Sequence, residues 1–155
     1  MSLKTQFDID IKAALLSGDR FTASVLRDFK AAVLNEEVAQ KKREEGLSDT
    51  DIEKVLAREV KKRAESAAIY DGADRAELAQ QERAESKVLE AYLPEQVSEA
   101  DIKAAVDEAI VAIFGSASTN PAMMGQVIGA VKSQLGNSAD GGTIARLVKE
   151  ALANL

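Results

Sequence analysis

From Phe7 to Leu155 apolar residues recur every three or four positions, and the two prolines and most of the nine glycines fall where these runs begin or end. Strands would alternate with period two; this is the period of one helix face, so the chain is constrained to an all-α fold. Phe7, Ile11, Ala14 and Leu15 make the face of a first helix that stops at Ser17-Gly18. Asp19 caps a second, with Phe21, Val25, Phe29, Ala32 and Val33 on its face. The helix is expected to continue through a polar stretch, Glu36 to Glu45, and to stop at Gly46. Ser48 with Asp51 opens a third helix, striped by Ile52, Leu56, Val60, Ala67 and Tyr70 and ending near Asp71-Gly72. Asp74 and Glu77 read as the cap of a fourth, which runs to about Leu93.

Pro94 disfavours helix in Leu93 and has no backbone donor, so residues 94–97 read as a joint between domains 1–93 and 98–155. Beyond it, Ser98 and Asp101 start a fifth helix with Ile102, Ala105, Val106, Ala109, Ile110 and Ile113 on one side. Asn120-Pro121 reads as a cap and first helical residue for a sixth, carrying Met124, Val127, Ile128, Val131 and Leu135 and stopped by Gly136. Asp140 caps the last, in which Ile144, Leu147, Val148, Ala151, Leu152 and Leu155 form the buried face. The expectation is an N-terminal four-helix domain with a long hairpin of helices two and three, followed by a C-terminal three-helix bundle.

The chain has neither Cys nor His. Thiol and imidazole chemistry, disulfides and His- or Cys-ligated zinc are therefore excluded. The acidic pairs lack the spacing of a calcium loop, and no nucleotide-binding loop occurs, so neither metal nor cofactor is expected and no catalytic residue is assigned. The start of the chain lacks an apolar signal core and no stretch is long enough to span a bilayer, so the expected location is cytoplasmic. A formal net charge of -6 argues against a protein whose main task is to coat nucleic acid.

Several strings together carry a family likeness: Lys61-Lys62-Arg63 with Glu65 and Ser66, Tyr70, Arg75 before Leu78-Ala79, and Glu82 with Glu85. Tyr92-Leu93-Pro94-Glu95-Gln96 and the run from Met124-Gly125 to Ala139-Asp140-Gly141 complete the set. In these the chain resembles the YqeY-like proteins over nearly its whole length, and that family shares its C-terminal module with the B subunit of the aspartyl/glutamyl-tRNA amidotransferase. The resemblance implies a helical N-terminal domain followed by a three-helix tail, and the tail of the amidotransferase contacts tRNA. It also implies an association with carbon-nitrogen ligase activity that uses glutamine as amido donor, although the amidase and kinase parts are absent from this chain.

On a helical wheel Arg63 falls inside the third helix's apolar stripe, and Glu82 and Glu85 fall inside the fourth's. Buried charges need partners, so an antiparallel hairpin turning near Gly72-Ala73 predicts an ion pair between Arg63 and Glu82, with Glu85 or Glu59 joining. Gly125, Gly129 and Lys132 share a second face of helix six. That spacing fits tight packing against helix five or seven, which the scarcity of positive charge favours, or approach of a ribose-phosphate backbone with Lys132 on a phosphate. Arg146 and Lys149 lie opposite the buried face of helix seven, and Lys61 and Lys62 lie in one of two Lys-Lys-Arg runs. These are the candidate nucleic-acid contacts. Three readings follow: an accessory protein binding tRNA or a tRNA-handling complex through its tail; a protein-interaction module presenting the far end of the helix two and three hairpin; and a component associated with a glutamine-dependent ligase.

Overall fold

The computed structural model describes residues 1–115 and 121–154. Among them there are seven α-helices and no strand: α1 (Leu3–Ser17), α2 (Arg20–Ala39), α3 (Asp49–Gly72), α4 (Ala76–Glu90), α5 (Glu99–Phe114), α6 (Met124–Leu135) and α7 (Gly141–Ala153). Single turns of 3-10 helix, Pro121–Met123 and Gly136–Ser138, flank α6. The chain divides into two units, Met1–Leu93 and Pro94–Leu155. Asn120, expected to cap the sixth helix, and Leu155, expected on the face of the seventh, lie outside the described residues.

Five helices begin on a side-chain cap. Ser2, Asp19, Ser48, Ser98 and Asp140 accept hydrogen bonds from the backbone N–H of Thr5, Thr22, Asp51, Asp101 and Thr143 respectively. Each satisfies a donor that the first helical turn leaves open. The first three helices end on a common device: the residue after the last turn turns left-handed, and two amides fold back onto the helix's final carbonyls. In α1 these are Asp19 N to Ala14 O at 2.8 Å and Gly18 N to Leu15 O at 3.3 Å, with Gly18 at φ 81°. In α2 they are Lys42 N to Glu37 O at 2.8 Å and Lys41 N to Val38 O at 3.1 Å; in α3, Arg75 N to Tyr70 O at 2.9 Å and Asp74 N to Asp71 O at 3.3 Å. Lys41 and Asp74 thus take positive φ, 58° and 55°, where glycine is the usual residue.

Two expectations are corrected here. Helix α2 stops at Ala39 rather than running to Gly46, so α2 and α3 do not form a long hairpin with a polar tip. Residues 40–48 fold back, bury Leu47, and bring its amide onto Glu37 Oε1 at 3.1 Å. Asp74 does not cap α4; it is consumed in ending α3, and Arg75 takes the cap position without a side-chain cap bond. The closely packed hairpin is α3 with α4, where buried Ala67 and Ala79 let the two helices approach.

In the N-terminal unit Phe7, Val25, Leu26, Phe29, Val33, Leu47, Ile52, Val55, Leu56 and Leu89 form one core, while Leu15 and Phe21 are exposed. Glu37 is buried beside it, only 3% exposed, and is held by the Lys4 ammonium and the Leu47 amide. The hydrogen bond from Lys4 holds its carboxyl below the ordinary glutamate value of 4.5, outweighing the opposing effect of burial; the Leu47 amide and the Lys4 charge add to the lowering. A carboxyl depressed in the folded state stabilises the fold above its unfolded pKa, and that contribution is lost as pH falls through the folded value. Urea unfolding of the wild type should therefore lose stability below pH 4.5, and Glu37→Gln should start lower at pH 7 and flatten that acid limb.

The C-terminal unit packs α5, α6 and α7 pairwise around Ile102, Ala105, Val106, Ala109, Ile110, Phe114, Val127, Val131, Ile144, Leu147 and Val148. Its entry segment is fixed by Val97 N donating to Ser138 O at 2.8 Å, and by the Gln96 side-chain amide donating to Pro94 O and Asn137 O at 2.9 and 3.0 Å.

Candidate nucleic-acid interface

Helix α6 turns Val127 and Val131 into the core of its unit. Its glycines point elsewhere. Gly125 and Gly129 are exposed, and among the described residues a methyl group built on either would meet nothing within 4 Å. The expectation that they pack tightly against a neighbouring helix is thus corrected. Helices α5 and α7 meet α6 through the Val127 and Val131 side, and the wheel places the glycines well away from it. What remains is an open strip of bare backbone.

Lys132, three residues beyond Gly129, is exposed, and its side chain lies along the start of α7; a methyl group on Gly141 would meet its Cε at 3.3 Å and Nζ at 3.4 Å. The Asp140 carboxylate already accepts from the Thr143 amide at 2.9 Å and the Thr143 hydroxyl at 3.2 Å, so it takes one of the donors that an anion would otherwise find there and sets a negative charge beside the rest. Arg146 is committed within the unit. Its two terminal nitrogens reach Glu99 at 2.7 Å and Glu150 at 3.1 Å, and the hydrogen bond to Glu99, followed by that to Glu150, pushes its pKa further up. Lys149 is exposed, and among the described residues neither it nor Lys132 has an ion pair. Of the three cations proposed in this unit, two are therefore free to meet a phosphate.

In the N-terminal unit Lys61 and Lys62 are exposed on α3 and, among the described residues, carry no ion pair. Arg63 beside them is turned inward. Its guanidinium reaches Glu59 at 2.9 Å and Glu85 at 3.3 Å, with all three side chains less than a quarter exposed. Glu82 is half-buried and is not a partner, which corrects the expected pairing with Arg63. The reason is the turn. Arg63 and Glu85 are 22 residues apart with Asp74 at their midpoint, so the hairpin pivots at the left-handed Asp74 rather than at Gly72-Ala73. Nearly one helical turn of register separates the two arrangements.

Tyr92 shows what one part of the sequence signature does. Its ring stacks edge-on against Phe7 with centroids 4.8 Å apart, and its hydroxyl donates to Asp10 Oδ2 at 2.6 Å. Burial first, then the hydrogen bond to Asp10 and its negative charge, push the phenol's pKa up, so it stays a donor. The end of α4 is thereby tied to α1. Neither this link nor the Lys4–Glu37 pair is among the residues expected from sequence. Glu37 could have been found by the argument that isolates Arg63, since it continues the Phe29 and Val33 face one turn on.

Among the described residues no helix is long and apolar enough to cross a membrane, and no group of three or more potential ligands is placed to hold a metal ion. A family model described as Yqey-like protein matches residues 4–152. No curated protein matches the chain.

Proposed function

The chain belongs to the Yqey-like protein family, and we propose that it is an accessory protein that binds tRNA through its C-terminal unit. The observation that carries this reading is the open space over Gly125 and Gly129, where among the described residues nothing lies within 4 Å of the place a Cβ would take, leaving main chain for a ribose-phosphate strand to approach. Lys132 and Lys149 supply charge at the same unit. The resemblance of this unit to the tail of the tRNA-dependent amidotransferase supports the choice of RNA.

The charge available also sets the kind of binding. With Lys132 and Lys149 each on one phosphate, the logarithm of affinity should fall with the logarithm of salt with a slope of about −1.4 to −1.8. Binding of this kind rests on shape and backbone contact more than on counterion release. Recovery of the full chain from cells at low salt, with and without nuclease, tests the reading. Nucleic acid of tRNA length in the untreated sample supports it. A stoichiometric protein that stays bound after nuclease treatment, with no RNA, supports instead a protein partner.

A further inference from the structure

Residues 36–45, Glu-Glu-Val-Ala-Gln-Lys-Lys-Arg-Glu-Glu, are nearly all strong helix formers, yet α2 ends within them at Ala39. The stop uses a lysine, not a glycine, in the left-handed position: Lys41 has φ 58°. A segment whose local preference opposes its observed shape is held by contacts from outside itself. Among the described residues the contacts at the fold-back itself can be named. Glu37 receives the Lys4 ammonium of α1 and the Leu47 amide; Leu47 is buried; and Lys42 reaches Asp51 at 3.7 Å. Gly46, at φ 77°, lets the loop pass this clamp. A methyl group there would stand 3.1 Å from Lys4 Nζ and 3.4 Å from Glu37 Oε1.

We propose that residues 40–48 are a two-state element, folded back while Lys4 holds Glu37 and, on release, adding about one turn to α2 through Arg43. One turn advances the helix by about 6 Å. The five residues that remain, 44–48, span about 17 Å when extended, and they carry the return to α3. The charge on Glu37 keeps a partner in both states. In the lengthened helix Lys41 stands four residues after it, the favourable order for a glutamate and a lysine on one face. What switches is the display of Lys41, Lys42 and Arg43. In the folded-back state Lys42 is paired with Asp51, and Lys41 and Arg43 stand with Glu44, Glu45 and Val38 around a shallow cavity. In the lengthened state the three cations occupy one helical turn.

The test is the backbone Cα chemical shifts of residues 40–43 in the full chain, comparing wild type with Lys4→Met and with Gly46→Ala. Helical shifts at Gln40 to Arg43 in either folded variant, with the remaining helices unchanged, are the expected result. Wild-type or random-coil shifts at these residues in both variants would overturn the proposal. If Lys4→Met does not fold, Gly46→Ala, which keeps both members of the clamp, decides alone. Adding Lys41→Gly should reverse the change, because glycine accepts the left-handed position and weakens the helix. Helical shifts that persist in that double variant would also count against it.

Discussion

Phe7→Ala should cost the N-terminal unit about 3–5 kcal/mol, the largest loss expected from any single truncation in it. Phe7 is fully buried, and among the described residues it is the one side chain that meets an aromatic ring on each of two sides. Phe29 of α2 lies edge-on at 5.2 Å and Tyr92, just past α4, at 4.8 Å. Such pairs add about 0.5–1.5 kcal/mol beyond the area they bury. Removing the ring leaves a cavity between α1, α2 and the end of α4, and it takes away the surface that holds the Tyr92 hydroxyl on Asp10. Urea denaturation followed by tyrosine fluorescence reads the loss directly, since the chain has two Tyr and no Trp. Leu16→Ala, on an exposed residue of the same helix, should change the midpoint by less than about 0.5 kcal/mol. A Phe7→Ala loss below about 1 kcal/mol would mean that α1 does not pack as described.

Gly129→Glu should leave the fold intact and lower RNA affinity tenfold or more. The two effects separate because the position is open: among the described residues a Cβ there meets nothing within 4 Å, and replacing glycine within a helix contributes about 0.5–1 kcal/mol of stability. The new carboxylate stands on the bare strip, three residues from Lys132 and on its face. It both repels an incoming phosphate and engages the cation that would pair with it. Gly125→Glu, one turn earlier, should act in the same direction. Unchanged affinity in both variants, with melting temperatures at or above that of the wild type, would remove the strip from the interface.

Much of the helical frame is legible because it depends on local chemistry. Ser48, Ser98 and Asp140 announce helix starts by side-chain geometry alone. The faces of α5 and α7 follow from a 3.6-residue period that only one orientation can bury. Helix ends are harder to read where the chain departs from the glycine rule. Lys41 and Asp74 take left-handed backbone that neither residue advertises, so residues 36–45 look helical throughout and the α3–α4 turn looks shorter than it is. The second error carries into the site: moving the pivot to Asp74 exchanges Glu82 for Glu85 as the partner of Arg63.

The candidate interface is legible only in composition. Gly125, Gly129 and Lys132 fall on one face by spacing. Whether that face is covered depends on where two other helices lie, and this is tertiary information that no periodicity within α6 contains. Pairing is likewise a property of the assembled unit. Arg146 reads as a free cation on the exposed face of α7, and it is Glu99, at the start of α5, that occupies it.

Titration of the full chain into labelled tRNA, against a random RNA of the same length, at low and at moderate salt, tests the tRNA reading most directly. The expected result is tighter binding to tRNA at low salt, a shallow salt slope of about −1.4 to −1.8, and loss of the preference in Gly129→Glu. Equal affinity for the two RNAs, or no binding to either at low salt, would contradict it.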